Sequence, residues 1–167
     1  MTKLLLSVHV LVAILAVGSI TVAASMFPRY ALQACGDKEQ DGRSAGIAAL
    51  LHRICRGYAL AGLAVPVFGI ATGAQLGVLT DAWLIASLAL TVIAAAVLAL
   101  AILPGQQRLL ALAQDVPAQE AVHQEAAHQE AAQPTATRLT MLTGIFNVLW
   151  TIVVILMIVR PGSTTGA

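Results

Sequence analysis

Apolar residues fall into four long, nearly unbroken stretches separated by polar segments, and the length of each stretch predicts a transmembrane helix. A helix rising about 1.5 Å per residue needs roughly 20 apolar residues to cross about 30 Å of hydrocarbon. Residues Leu4–Met26 reach that length without a Lys, Arg, Asp or Glu. Residues Gly57–Thr80 and Ala82–Leu103 lie on either side of Asp81, and Leu139–Val159 is bracketed by Arg138 and Arg160. Lipid leaves the backbone only helices or closed barrels, and continuous apolar runs are not the alternating pattern of a barrel. The expected fold is all-α: a polytopic membrane four-helix bundle forming one domain over residues 1–162. A tight hairpin is expected near Gly77 to Ala82, a low-complexity cytoplasmic loop over residues 104–138, and a disordered tail over residues 163–167.

The distribution of basic residues gives the bundle a direction. Arg29, Lys38, Arg43, Arg53 and Arg56 lie between the first two spans and Arg108 and Arg138 between the last two, whereas the opposite side has Lys3 and Arg160. The excess marks the cytoplasmic loops, so both termini are expected on the outer side of a bacterial plasma membrane. An alternative for the first span is a cleaved signal peptide, since Lys3 resembles a short basic n-region and Val22-Ala23-Ala24 a small-residue cleavage site.

Composition narrows the partners. A hydrophobic fraction of 59% with 10% charged residues makes the lipid bilayer the solvent. A net charge of +1, with the basic residues scattered, implies no nucleic-acid partner. Cys35 and Cys55 match neither a disulfide framework nor a paired zinc motif, and are expected as free thiols.

The loops carry two patterns. After the polar Gly36–Gly42 turn, Ile47, Leu50, Leu51 and Ile54 recur at helical spacing, placing His52, Arg53 and Arg56 at headgroup level where anionic lipid is attracted. Cys35, His52 and Cys55 are the only combination there with the chemistry of zinc or copper ligands, and they lack a fourth. In the last loop a five-residue repeat, Ala-Val-His-Gln-Glu then Ala-Ala-His-Gln-Glu, puts His123 and His128 about 140° apart on a helix, too far to share an ion. A solvated, partly helical linker between Pro117 and Pro134 is expected.

Three intramembrane features stand out. Gly69, Gly73 and Gly77 recur at four-residue steps, continuing the ridge of Gly57 and Ala61, and predict a helix-packing seam; Pro66 in the same span predicts a kink. Thr140, Gly144, Asn147 and Thr151 form a polar stripe expected to face protein, with the Asn147 amide at the right depth to reach the Gly62 carbonyl that Pro66 leaves without a donor. His9 is the single ionisable side chain inside a span, at the depth of Thr72, Ser87 and Met157. It is a neutral imidazole bonded to a hydroxyl, a haem or copper ligand with Met157 as a soft second ligand, or a proton relay.

The stretch Ser7-Val8-His9-Val10-Leu11-Val12-Ala13-Ile14-Leu15-Ala16-Val17-Gly18 resembles the first-helix signature of a family of bacterial four-span integral membrane proteins of unknown function. The ending Met157-Ile158-Val159-Arg160-Pro161-Gly162 resembles the close of the same family's domain. The first helix is also similar to that of copper-resistance D-type proteins and the bacterial membrane protoporphyrinogen oxidase, which implies a metal or haem role for His9. Ala16 and Ser19 stand where that pattern often has Trp and a second Gly.

Three functions follow as expectations. A non-enzymatic accessory or scaffold bundle, self-associating or joined to other membrane subunits, is motivated by the glycine seam and the lack of a catalytic constellation. A haem- or copper-linked redox protein is motivated by His9. A small transporter or channel is motivated by Pro66, the glycines and the Thr-Asn stripe.

Overall fold

The computed structural model describes residues 2–35, 41–114 and 121–162. It contains α1 (Thr2–Ala34), α2 (Asp41–Gly62), α3 (Ala64–Leu76), α4 (Ala82–Val97), a π-helical turn (Leu98–Ile102), α5 (Leu103–Gln114) and α6 (Ala121–Val159). Among the described residues there is no strand. Four segments are long and apolar enough to cross a membrane: Lys3–Ala34, Gly42–Leu76, Ala82–Ala113 and Gln129–Val159. The protein is an all-α, multi-pass membrane bundle.

Its helices outrun the expected spans. The 33 residues of α1 and 39 of α6 correspond to about 50 and 58 Å, well beyond about 30 Å of hydrocarbon. The first helix continues through Pro28, where a loop was expected, and α6 runs through Pro134, where the linker was expected to end. The described part of residues 104–138 is helix throughout, while the side chains of His123 and His128, most of the polar Gly36–Gly42 turn and the 163–167 tail lie outside the described residues. Packing overrides the missing proline N–H groups. Phe27 and Ala31 on either side of Pro28 are fully buried, as are Ala48 and Cys55 of α2, Ile102, Leu109 of α5 and Ala132 of α6. Each large side chain among them contributes about 1.5 to 3 kcal/mol where the bundle stands in water.

The second span is broken. α2 ends at Gly62, Leu63 closes a tighter turn by donating to the Leu60 carbonyl at 3.2 Å, and α3 restarts at Ala64. Pro66 explains the position. In a helix interior its ring would crowd the carbonyl four residues back and leave it without a donor, but in the first turn of α3 its missing N–H costs nothing. The third span is interrupted by the π turn, in which Leu103 donates to the Leu98 carbonyl, and Pro104 follows directly. A proline there removes one α-type hydrogen bond, and the wider turn absorbs the shift.

The helix pairing is uneven. α1 packs along α2 and α3 on one side and α6 on the other, and α4 packs on α6, while α3 and α4 scarcely touch although a short hairpin joins them. The loop end, where α1 meets α2 and α5 meets α6, carries the contiguous apolar core. No residue of α3 belongs to that core. The termini end, where α1 begins and α6 finishes, is correspondingly open between α3 and α4.

The hairpin itself is built by Gly77 and Asp81. Gly77 adopts φ +70°, the left-handed conformation that ends a helix, and Val78 donates to the Gly73 carbonyl at 3.1 Å. Asp81 is extended and starts α4, its carbonyl accepting from Leu84 and Ile85 and its carboxylate from Trp83 Nε1 at 3.0 Å.

Candidate functional site: a cavity walled by His9

The gap at the termini end is a cavity of about 1000 Å³ bounded by α1, α3, α4 and α6. Aliphatic side chains form most of its wall; the exceptions with chemistry are His9, Thr72, Thr91, Met157, Trp83, Trp150 and Arg160.

His9 is 7% exposed, and its Nδ1 lies 2.9 Å from the carbonyl oxygen of Val65. A carbonyl only accepts, so Nδ1 carries the proton and Nε2 of the neutral ring keeps its lone pair. The expected hydroxyl partners are engaged elsewhere, Thr72 donating to the Phe68 carbonyl and Ser87 to that of Trp83; Thr91, also in the wall, donates to that of Ser87. In a membrane helix a hydroxyl is satisfied by its own preceding turn, which frees it from needing a neighbour. The histidine instead takes a carbonyl of the short helix beside it.

Gly69 makes the approach feasible. A Cβ at position 69 would stand 3.0 Å from His9 Cε1. Gly73 serves a different contact, since a Cβ there would meet Leu84 at 2.9 Å and Leu79 at 3.3 Å. At Gly77 a Cβ would meet nothing within 4 Å, and the residue serves the turn through its positive φ. The three glycines of one ridge thus meet three demands: an imidazole, a leucine and a left-handed cap.

The polar stripe of α6 does not point where it was expected. Thr140, Gly144 and Thr151 are exposed, and the threonines bond back to the carbonyls of Ala136 and Asn147. The buried face carries Leu139, Thr143, Phe146 and Val153 instead. Asn147 is half-buried, and its Oδ1 accepts from Thr21 of α1 at 3.1 Å rather than the amide serving Gly62. Back-bonding again explains the difference, because it removes the penalty for turning a threonine toward lipid.

One contact in the cavity wall joins α4 to the residue that follows α6. The Arg160 guanidinium lies 5.7 Å from the centre of the Trp83 ring, whose N–H is held by Asp81. Arg160 itself has φ 44°, left-handed for a residue with a side chain, and its N–H donates to the Leu156 carbonyl at 3.0 Å. This clamp was invisible in the sequence, where Arg160 flanks the fourth span and Trp83 lies inside the third.

A second buried polar group lies at the loop end. Gln106 is 1% exposed; its Oε1 accepts from His52 Nδ1 at 2.9 Å and its amide donates to Cys55 Sγ at 3.6 Å. Among the described residues no three His, Cys, Asp or Glu side chains come together, so Cys35, His52 and Cys55 form no such cluster. Gln106 was missed because Pro104-Gly105-Gln106 reads as loop; the helical spacing of Leu103, Gln106 and Leu110 was the available signal.

The chain matches no family model, no curated protein and no solved structure.

Proposed function

We propose that this protein is a non-catalytic membrane bundle that binds an apolar, hydroxyl-bearing molecule drawn from the bilayer. The observation that carries the reading is His9, locked by Val65 in the wall of a cavity of about 1000 Å³. Fixing Nδ1 as a donor leaves Nε2 as a hydrogen-bond acceptor, the complement of a hydroxyl head, while the aliphatic wall suits the body of the molecule. The scarcely paired α3 and α4 supply a lateral way in from lipid. The orientation with both termini outside belongs to the same proposal; its support is that Arg29, Arg43, Arg53, Arg56, Arg108 and Arg138 all lie toward the loop end.

Trp83 and Trp150 both line the cavity and are the chain's two tryptophans, so intrinsic fluorescence reports on it. A long-chain phenol should quench the purified protein saturably. Its methyl ether, and the phenol with His9→Leu, should bind roughly tenfold more weakly, the worth of one buried hydrogen bond. Indistinguishable titrations would end the proposal.

One observation favours a second reading. A histidine whose Nδ1–H is held by a backbone carbonyl presents Nε2 as metal ligands do, and Met157 lines the same cavity. A His–Met pair suits haem, which brings four nitrogens of its own, better than copper, for which a third protein ligand is wanted. A Soret band in the wild type that disappears in His9→Ala would establish it in place of the first reading. The resemblance of the first helix to copper-resistance proteins supports this alternative alone.

A further inference from the structure

At the loop end a second concavity, of about 310 Å³, lies between the π turn with α5 and the middle of α6. Its wall takes Arg108 from α5 and both Thr135 and Arg138 from α6, with Leu100 and Leu142 in the same groove. Gly105 brings the helices together, since a Cβ there would stand 2.8 Å from Leu139 Cδ2. Two guanidinium groups from different helices therefore border one groove, although like charges repel. Among the described residues neither takes part in an ion pair.

Depth identifies what would neutralise them. From Arg138 of α6 to Arg160 just past its end is about 33 Å at 1.5 Å per residue, one hydrocarbon thickness, so the groove lies at a headgroup level. Leu142 lies one turn from Arg138 toward the bilayer centre, and Leu100, two turns from Arg108, is 78% exposed. Arginine forks match phosphate oxygens in pairs, and basic pockets between membrane helices are suited to anionic headgroups. We infer that this groove holds the phosphate of an anionic glycerophospholipid, its acyl chains lying along Leu100 and Leu142. The site is independent of the His9 cavity. It also differs from the headgroup contact expected at Arg53 and Arg56, which do not line the groove.

Native mass spectrometry of the full chain in detergent, titrated separately with phosphatidylglycerol and phosphatidylcholine, tests the assignment. Phosphatidylglycerol should be retained on the wild type and phosphatidylcholine should not. Arg108→Gln/Arg138→Gln should reduce retention roughly tenfold or more, as expected for two basic contacts. Thr135→Asp, which adds a carboxylate to the groove wall, should reduce it as well and serves if the double variant fails to fold. Arg53→Gln/Arg56→Gln, at residues that do not line the groove, should reduce it by less than the groove substitutions do. Retention unaffected by the groove substitutions, an equal loss in the Arg53/Arg56 variant, or equal retention of phosphatidylcholine would overturn the proposal. Displacement of bound lipid by millimolar inorganic phosphate would reassign the groove to free phosphate and would equally overturn it.

Discussion

The imidazole of His9 rests close against Gly69: a Cβ at position 69 would be 3.0 Å from Cε1, so the ring would have to give way for any side chain there. That single approach lets α1 and α3 pack, carries the Nδ1 bond to Val65, and sets the wall of the cavity. Gly69→Val should therefore force the ring away and cost about 1 to 3 kcal/mol by overpacking. His9→Ala should relieve most of that cost, so a double-mutant cycle on detergent unfolding should return a coupling of at least about 1 kcal/mol. Additive effects would mean the contact is unimportant.

Gly77 and Gly57 should respond oppositely to alanine. Gly77 holds φ +70°, where a Cβ is strained, so Gly77→Ala should lower stability by about 1 kcal/mol. Gly57 lies inside α2 with nothing within 4 Å of a built Cβ, and Gly57→Ala should be neutral or stabilise by up to about 1 kcal/mol. Thermal melting of the two variants side by side checks the contrast.

The hydrogen bond from Thr21 to Asn147 ties α1 to α6 across the membrane interior. Interhelical bonds of this type average about 0.6 kcal/mol. Asn147→Leu should mildly destabilise the bundle, and Thr21→Val should remove most of that sensitivity. By contrast Thr140→Val and Thr151→Val, whose hydroxyls bond only within α6, should shift the melting temperature little. A larger loss at Thr151 than at Asn147 would contradict the placement of the stripe.

Gln106 connects α5 to α2 by serving His52 and Cys55 at once. Gln106→Leu preserves volume but leaves a part-buried imidazole N–H and a buried thiol without their partner, at a cost of about 1 to 3 kcal/mol. Equilibrium unfolding should show this loss. Leu110→Ala, at a partly buried position packed against the core one turn away, calibrates an ordinary truncation at the same end.

Much of this architecture follows from chain chemistry alone. Four apolar stretches longer than a bilayer is thick have no alternative to spanning helices, because each backbone polar group must be satisfied within its own segment. The break near Pro66 and the turn at Gly77 to Ala82 were legible for equally local reasons: a proline lacks an N–H and a glycine tolerates positive φ. Helix ends were not legible. Pro28 and Pro134 read as boundaries, yet contacts between α1, α2, α5 and α6 hold the helices through both positions.

What only the tertiary structure decided is which polar side chain meets which partner. His9, Asn147 and the threonines were all identified as intramembrane polar residues, but hydrophobic spacing does not tell whether a hydroxyl bonds across helices or back to its own turn. Nor could it show that α3 and α4 pair only sparsely, leaving a cavity beside His9, or that Arg108 and Arg138, 30 positions apart in sequence, border one groove. The sequence marks the four segments able to cross a bilayer, because burial in lipid is a property of each segment. Where cavities and polar contacts fall depends on how four helices fit together, and that fit is set by single contacts such as Gly69 against His9.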